Sequence, residues 1–221
     1  MSDVLVVAAH ADDEVLGCGG TLARHVAEND SVHVLYLADG VTSRGGDADA
    51  QLRRLRASKR ACSVLGVSEI SYLGLPDNRL DSLPLLDVVQ PLEALLARIQ
   101  PRIIYTHHWG DLNVDHQVAQ QAVLTACRPV PGQSVREILA FEVVSSSEWG
   151  NPGLLPFLPN HFVDISTYQM TKQAALDCYA EEMRAAPHSR CAPHVAALAL
   201  HRGHSVGVEA AEAFMVLRQV R

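Results

Sequence analysis

VLVVAAHADDE, residues 4–14, decides how the rest of the chain is read. Val4-Leu5-Val6-Val7-Ala8-Ala9 is continuously apolar and rich in β-branched side chains, whereas a strand with one wet face would alternate. It predicts a strand buried on both faces, hence a central strand of a parallel sheet. The run stops at His10-Ala11-Asp12-Asp13-Glu14, a polar cluster at the strand's carboxyl end. In an open parallel sheet that is the end where ligands bind.

Outward from this strand, Gly17, Gly19 and Gly20 precede a helical stretch over 21–29, and residues 31–37 read as a second strand that completes a βαβ unit. Residues 39–50, DGVTSRGGDADA, carry no apolar period and lead into a helix over 50–65 that Gly66 ends. A strand over 69–73, a loop over 75–80, a helix over 85–99 and a strand over 102–106 repeat the alternation. A helix over 112–127 is stopped by Pro129 and Pro131, and residues 137–145 read as a further strand. The segment 148–159 holds Gly150, Pro152, Gly153, Pro156 and Pro159 and reads as a loop, with a short edge strand at 161–165. Ser166 or Thr167 is placed to cap a helix reaching residue 185, and a last helix starts after Pro193. The expectation is a single α/β domain over 1–221. It is an open, mainly parallel sheet with helices on both faces and the active site at the strand C-terminal ends.

The chain has 221 residues, 48% hydrophobic and 19% charged, as an ordinary globular protein does. Its net charge of −7 lacks the basic footprint that captures nucleic acid, so no nucleic-acid partner is expected. Cys18, Cys62, Cys127, Cys178 and Cys191 are widely spaced with no CxxC pair, which suggests neither a disulfide framework nor a thiolate zinc site. The N-terminal apolar run is too short for a membrane span, and a cytoplasmic location is expected.

A second polar cluster, Thr106-His107-His108-Trp109-Gly110-Asp111-Leu112-Asn113-Val114-Asp115-His116, follows the strand ending near Tyr105 and would face the same crevice as the first. Together the clusters offer His10, Asp13 and His116, the imidazole and carboxylate donors of a catalytic Zn²⁺ with an open fourth position. Such an ion acidifies water and polarises a carbonyl, and Asp12 is the nearby carboxylate to accept a proton. Carboxylates at a strand end also cap the next helix, but capping accounts for neither imidazole. The glycines at 17, 19 and 20 lack GxGxxG spacing, so close helix packing is the better reading than a dinucleotide fingerprint. Cys18 reads as a small buried hydrophobe.

AHADDEVLGCGG with THHWGDLNVDH resembles the PIG-L/LmbE family of zinc-dependent N-acetylglucosamine deacetylases. The likeness extends through PDNRLDS near residue 80 and RGHSVGVEAAEAF near the C-terminus, nearly the whole chain. It implies a Rossmann-like domain that removes an N-acyl group, chiefly N-acetyl, from an amino sugar or sugar conjugate, a small-molecule amino-sugar or nucleotide-sugar substrate, with free, nucleotide-linked and lipid-linked sugars all open. Carried over by position, it makes His10, Asp13 and His116 ligands and Asp12 the base. The chain departs from the family at Ala11, where proline is usual, and at Asn113, where many members carry a histidine that stabilises the tetrahedral intermediate. Asn113 can donate through its amide, or His107 or His108 can take that role; Asp115 can orient an imidazole. A substrate-contacting arginine falls among Arg44, Arg54 and Arg56, with Arg54 chosen. Asp77 is implied to hold sugar hydroxyls, and His188 and Arg190 to close over the site. Fe²⁺ or Co²⁺ would suit the same donors, and members often assemble as homo-oligomers. A non-sugar N-acyl substrate and a non-catalytic ligand-binding module are the competing readings.

Overall fold

The computed structural model describes residues 3–151 and 153–221; Pro152, one of the loop residues named above, lies outside the described residues. Strands β1 (Asp3–Ala8), β2 (Ser31–Ala38), β3 (Glu69–Leu75), β4 (Ile103–His107), β5 (Glu137–Phe141), β6 (His161–Asp164) and β7 (Ala211–Gln219) form one sheet in the order β3-β2-β1-β4-β5-β7-β6. β3, β2, β1, β4 and β5 are parallel neighbours, and β7 runs antiparallel between β5 and β6. This is the open, mainly parallel α/β sheet that the opening strand predicts.

β1 is central, and its side chains divide between two cores. Val4, Val6 and Ala8 pack with Leu22 of α1 (Asp13–Ala27), Cys62 of α2 (Ala48–Leu65) and Leu176 of α5 (Gln169–Asp177). Leu5 and Val7 pack on the other face with Leu92 of α3 (Leu85–Ile99) and Val123 of α4 (Val114–Ala126). The helix α6 (Ala192–His204) lies beside β7. Successive strands are added outward in opposite directions from the parallel pair β1 and β4, so the loops leaving these two strands open a crevice at their carboxyl ends.

The strand expected over 137–145 ends at Phe141, and three other elements differ more from expectation. α1 begins at Asp13, not near residue 21, because its glycines lie inside the helix. A β-carbon on Gly17 would sit 2.4 Å from the Phe141 ring and one on Gly20 2.8 Å from Ile165, so these positions let α1 approach the sheet. The helix kinks at Cys18 (φ −147°, ψ 19°), and the groups freed there find partners. The Gly20 and Thr21 N–H groups donate to the Glu212 carboxylate at 2.9 and 2.7 Å, while Lys172 Nζ donates to the Leu16 carbonyl and to Glu212. β7, which supplies Glu212, is the strand that sequence reasoning missed. Its surroundings Ala210-Ala211-Glu212-Ala213 are helix formers locally, and the slot between β5 and β6 overrides that preference.

The third difference is α5, which spans only Gln169–Asp177 and has no side-chain cap. Ser166 instead donates its N–H to Asp164 in a turn. Beyond the helix, Tyr179 is buried and its hydroxyl donates to Glu14 at 2.6 Å, turning the chain toward α1. Residues 178–191 therefore cross to the site.

Candidate metal centre and active site

Asp12 occupies the N-terminal cap position of α1 with φ 129° and ψ −27°, a conformation that a β-carbon strains by on the order of 1–3 kcal/mol. Glu14 offsets that strain by accepting the Asp12 N–H at Oε2, 3.0 Å away. Its other oxygen accepts from Tyr179, whose hydroxyl lies 3.3 Å from that of Tyr36. This bend separates two successive carboxylates. Asp12 lines a chamber of about 290 Å³, and Asp13 is fully buried beneath it.

Around Asp13 the two strand-end clusters converge. Its Oδ2 lies 3.3 Å from His10 Nδ1 and 3.3 Å from His116 Nε2, and accepts the His10 backbone N–H at 2.9 Å. Ligand atoms of His10, Asp13 and His116 lie within 4.8 Å of one another, the spacing of a set able to share one ion. Each imidazole is held from behind. His10 Nε2 is 3.0 Å from Asp115 Oδ2 and 3.0 Å from Asp77 Oδ1, and His116 Nδ1 is 3.1 Å from Asp111 Oδ2. Carboxylates on the rear nitrogens set the tautomer and orientation that metal-ligating histidines need. Asp13 Oδ1 is buried with no hydrogen-bond partner among the described residues, and His116 Nε2 has only the 3.3 Å approach of Asp13 Oδ2. Leaving a buried carboxylate oxygen unpaired costs about 1–3 kcal/mol, a cost a bound cation removes, and the donor set fits one.

The ionisation of these groups follows from their neighbours. Burial alone would lower the His116 imidazole, but Asp13 and Asp111 carry it to about 9. For His10, Asp115, Asp13 and Asp77 likewise outweigh burial and hold it well above its usual value. Burial would raise Asp13, yet the His116 and His10 imidazoles hold it well below the carboxylate range. Asp111 is brought to about 2 against burial by His116 and two serine hydroxyls. His107 is depressed by burial and by the neighbouring His116, on which its ring stacks at 3.9 Å. Asp12 is raised by burial, with Arg190 and Arg54 opposing.

Both Asp12 oxygens are engaged, Oδ1 by Arg54 Nη2 at 3.2 Å and Oδ2 by Arg190 Nη1 at 2.6 Å. Arg54 is also paired with Glu182, so among the arginines considered at this edge the buried one facing the chamber is Arg54; Arg44 lies on the rim and Arg56 is exposed. Arg190 donates further to Ser145 Oγ at 2.6 Å, and its backbone N–H to His188 Nδ1 at 3.0 Å; both residues line the chamber.

Asp77, His107 and His108 are engaged by groups of the protein, whereas Asn113 lines the chamber and Asp115 holds an imidazole. Asp77 lines the chamber, but its carboxylate is taken by His10 and by the Ser43 hydroxyl, a different use from holding sugar hydroxyls. His107 lies under the centre with Nε2 accepting the Ala9 N–H at 2.8 Å, and does not line the chamber. His108 is also outside it, 2.9 Å from the Leu155 carbonyl and edge-on to Phe157. Asn113 lines the chamber and caps α4, its Oδ1 accepting the Asp115 N–H at 2.8 Å, which leaves its amide nitrogen without a partner among the described residues. Asp115 reaches His10 rather than the adjacent His116, and accepts the N–H groups of Asn78 and Leu80. Sequence reasoning assigned no role to Asp111, Glu14, Ser43, Ser145 or Glu182. Asp111 and Glu14 stood inside the quoted clusters; the other three carry no local signal.

Known proteins resemble this chain in both sequence and fold. The sequence model of the PIG-L family, described as GlcNAc-PI de-N-acetylase, matches residues 5–127. The uncharacterized deacetylase YaiS of Escherichia coli K12 is 31% identical over 180 residues, 78% of this chain and 88% of its own. The 4-oxalmesaconate hydratase of Pseudomonas putida KT2440 is 28% identical over 193 residues, 80% of this chain and 72% of its own. Among solved structures, the conserved protein TT1542 from Thermus thermophilus superimposes with a TM-score of 0.80 at 29% identity, over all of this chain and 97% of that one.

Proposed function

This chain belongs to the PIG-L family, and from that premise we propose that it is a metal-dependent hydrolase removing an N-acyl group, chiefly N-acetyl, from an amino sugar or sugar conjugate. The observation that carries the reading is the buried convergence of His10, Asp13 and His116, with Asp13 Oδ1 left without a partner among the described residues and Asp12 beside them at the chamber wall. Two imidazoles and one carboxylate suit zinc, and Fe²⁺ or Co²⁺ accept the same set. An ion held there supplies Lewis acidity, polarising the amide carbonyl and acidifying a water beside it.

The remaining chemistry belongs to the chain. Asp12 takes the proton of the attacking water and returns it to the leaving amine, the two halves of general acid–base catalysis. Burial makes its carboxylate more basic, and Arg54 and Arg190 keep it ionised and aimed. The amide nitrogen of Asn113, at the chamber wall, donates to the oxyanion that develops on the carbonyl. Asp77, Asp115 and Asp111 hold the two imidazoles in place.

Amine release over a panel of N-acetylated sugars and N-acyl amino acids, with metal content measured on the same sample, tests the reading. Asp12→Asn is expected to keep stoichiometric metal and lose about 10²–10⁴ in turnover; turnover equal to the parent would remove Asp12 from its role. The hydratase relative favours a second reading, in which the same centre activates water for addition to a carbon–carbon double bond. Consumption of 4-oxalmesaconate without amine release from any acylated compound would select it.

A further inference from the structure

Beside the metal chamber runs a larger groove of about 770 Å³, lined by α2 on one side and residues 177–182 on the other. The two cavities share Arg44, Arg54 and Glu182, so they adjoin across this ion-paired rim. The chamber alone is at the lower limit of ligand pockets, and the groove is near the upper part of their range. A substrate larger than one sugar therefore has a path along α2.

The charge of that path is opposite to that of the protein. The chain carries −7 overall, yet the groove is lined by six cations and three acids. Two of those acids are already matched. Glu182 pairs with Arg54 and with Arg44, and Glu181 lies 3.4 Å from Arg53. Arg53 and Glu181 are both exposed, a pairing of the kind worth under about 1 kcal/mol and readily exchanged for a ligand anion. Arg56 and Lys59 meet no carboxylate among the described residues, and Arg60 donates only to the Cys178 carbonyl. At spacings of three and four residues, Arg53, Arg56, Lys59 and Arg60 share one face of α2. An exposed basic helix face is ordinarily solvated. Here it forms the wall of a cavity that reaches Arg54, the residue that on its other side pairs with Asp12 in the chamber.

We propose that this groove binds the aglycone of the substrate, and that the aglycone carries phosphate. Several guanidinium groups along one wall match the acceptor-rich geometry of phosphate or pyrophosphate, which Arg engages in bidentate fashion. The amino sugar then occupies the chamber and its phosphorylated portion lies between α2 and residues 177–182. This assignment rests on the amino-sugar reading for the chamber, while the groove's affinity for phosphate stands on its own residues.

The test compares the metal-loaded parent with Arg56→Glu/Lys59→Glu and with Arg56→Gln/Lys59→Gln, in two measurements. Calorimetric binding of inorganic pyrophosphate is expected to weaken at least tenfold in the charge-reversed variant and by less in the neutral one. Affinity equal in all three proteins overturns the proposal. For catalysis, kcat/KM for UDP-N-acetylglucosamine is expected to exceed that for methyl N-acetylglucosaminide at least tenfold, and charge reversal to abolish that preference while changing the methyl glycoside by less than twofold. Equal kcat/KM for the two substrates in the parent overturns the aglycone assignment. Loss of pyrophosphate affinity on charge reversal with neither sugar cleaved supports the groove and counts against the amino-sugar reading; cleavage of the methyl glycoside with unaltered pyrophosphate affinity does the reverse.

Discussion

His116 illustrates how single side chains set the behaviour of the centre. Asp13 and Asp111 raise its imidazole to about 9, against 6.5 for the unperturbed group, so without an ion it stays protonated through neutral pH. The raised value stabilises the ion-free fold below pH 6.5, and the contribution disappears as pH rises through about 9. A metal needs the Nε2 lone pair and must displace that proton. Metal uptake at pH 7 is therefore expected to release protons, with apparent affinity climbing toward pH 9 and levelling above it. Titration in buffers of different ionisation enthalpy reads the release directly; an enthalpy independent of the buffer would refute it. Asp111→Asn should weaken metal binding by about 10–100-fold through loss of the group behind His116. That His10, Asp13 and His116 lie together was legible from two strand-end clusters. The service of Asp111 to His116, and of Asp77 and Asp115 to His10, was not, because each depends on how a loop folds back by a few ångströms.

At the scale of elements, α1 carries the most information. Its glycines oppose helix formation by about 1 kcal/mol each, which is why the local pattern places the helix start after them. Contact with the sheet reverses that preference, since only a residue without a β-carbon fits against Phe141 and Ile165. Gly17→Ala gains helix propensity but overpacks a fully buried ring, for a net loss of about 1–2 kcal/mol. Thermal unfolding should show the midpoint lowered by several degrees. Adding Phe141→Leu makes room, so the double variant should lose less than the sum of the two single changes; strict additivity would mean that α1 does not rest on Phe141. The kink at Cys18 is likewise a joint product of α1, α5 and β7, through Lys172 and Glu212. No window along α1 alone contains it.

For the molecule as a whole, β7 is where local and global preferences disagree. It joins β5 to β6 near the end of the chain, so the sheet closes only after residue 211 is in place. Truncation after residue 208 is expected to abolish cooperative unfolding, because it exposes β5, strips Glu212 from the α1 kink and removes the buried Phe214. Removal of residues 220–221 alone should leave the transition unchanged; a truncated chain with a normal sharp transition would show β7 to be dispensable. No helix among the described residues is long and apolar enough to cross a membrane. The sequence by itself determined the alternation of strands and helices, the two-sided burial of β1, and the two clusters that supply the candidate metal ligands, since periodicity and strand-end polarity are properties of short windows. Only the tertiary structure decided which carboxylate stands behind which imidazole, that Asp12 is held by Arg54 and Arg190 across separations of 42 and 178 residues, and that a basic groove adjoins the chamber. Those relations are distances between segments, and distances are set by the order of strands in the sheet, which no local pattern encodes.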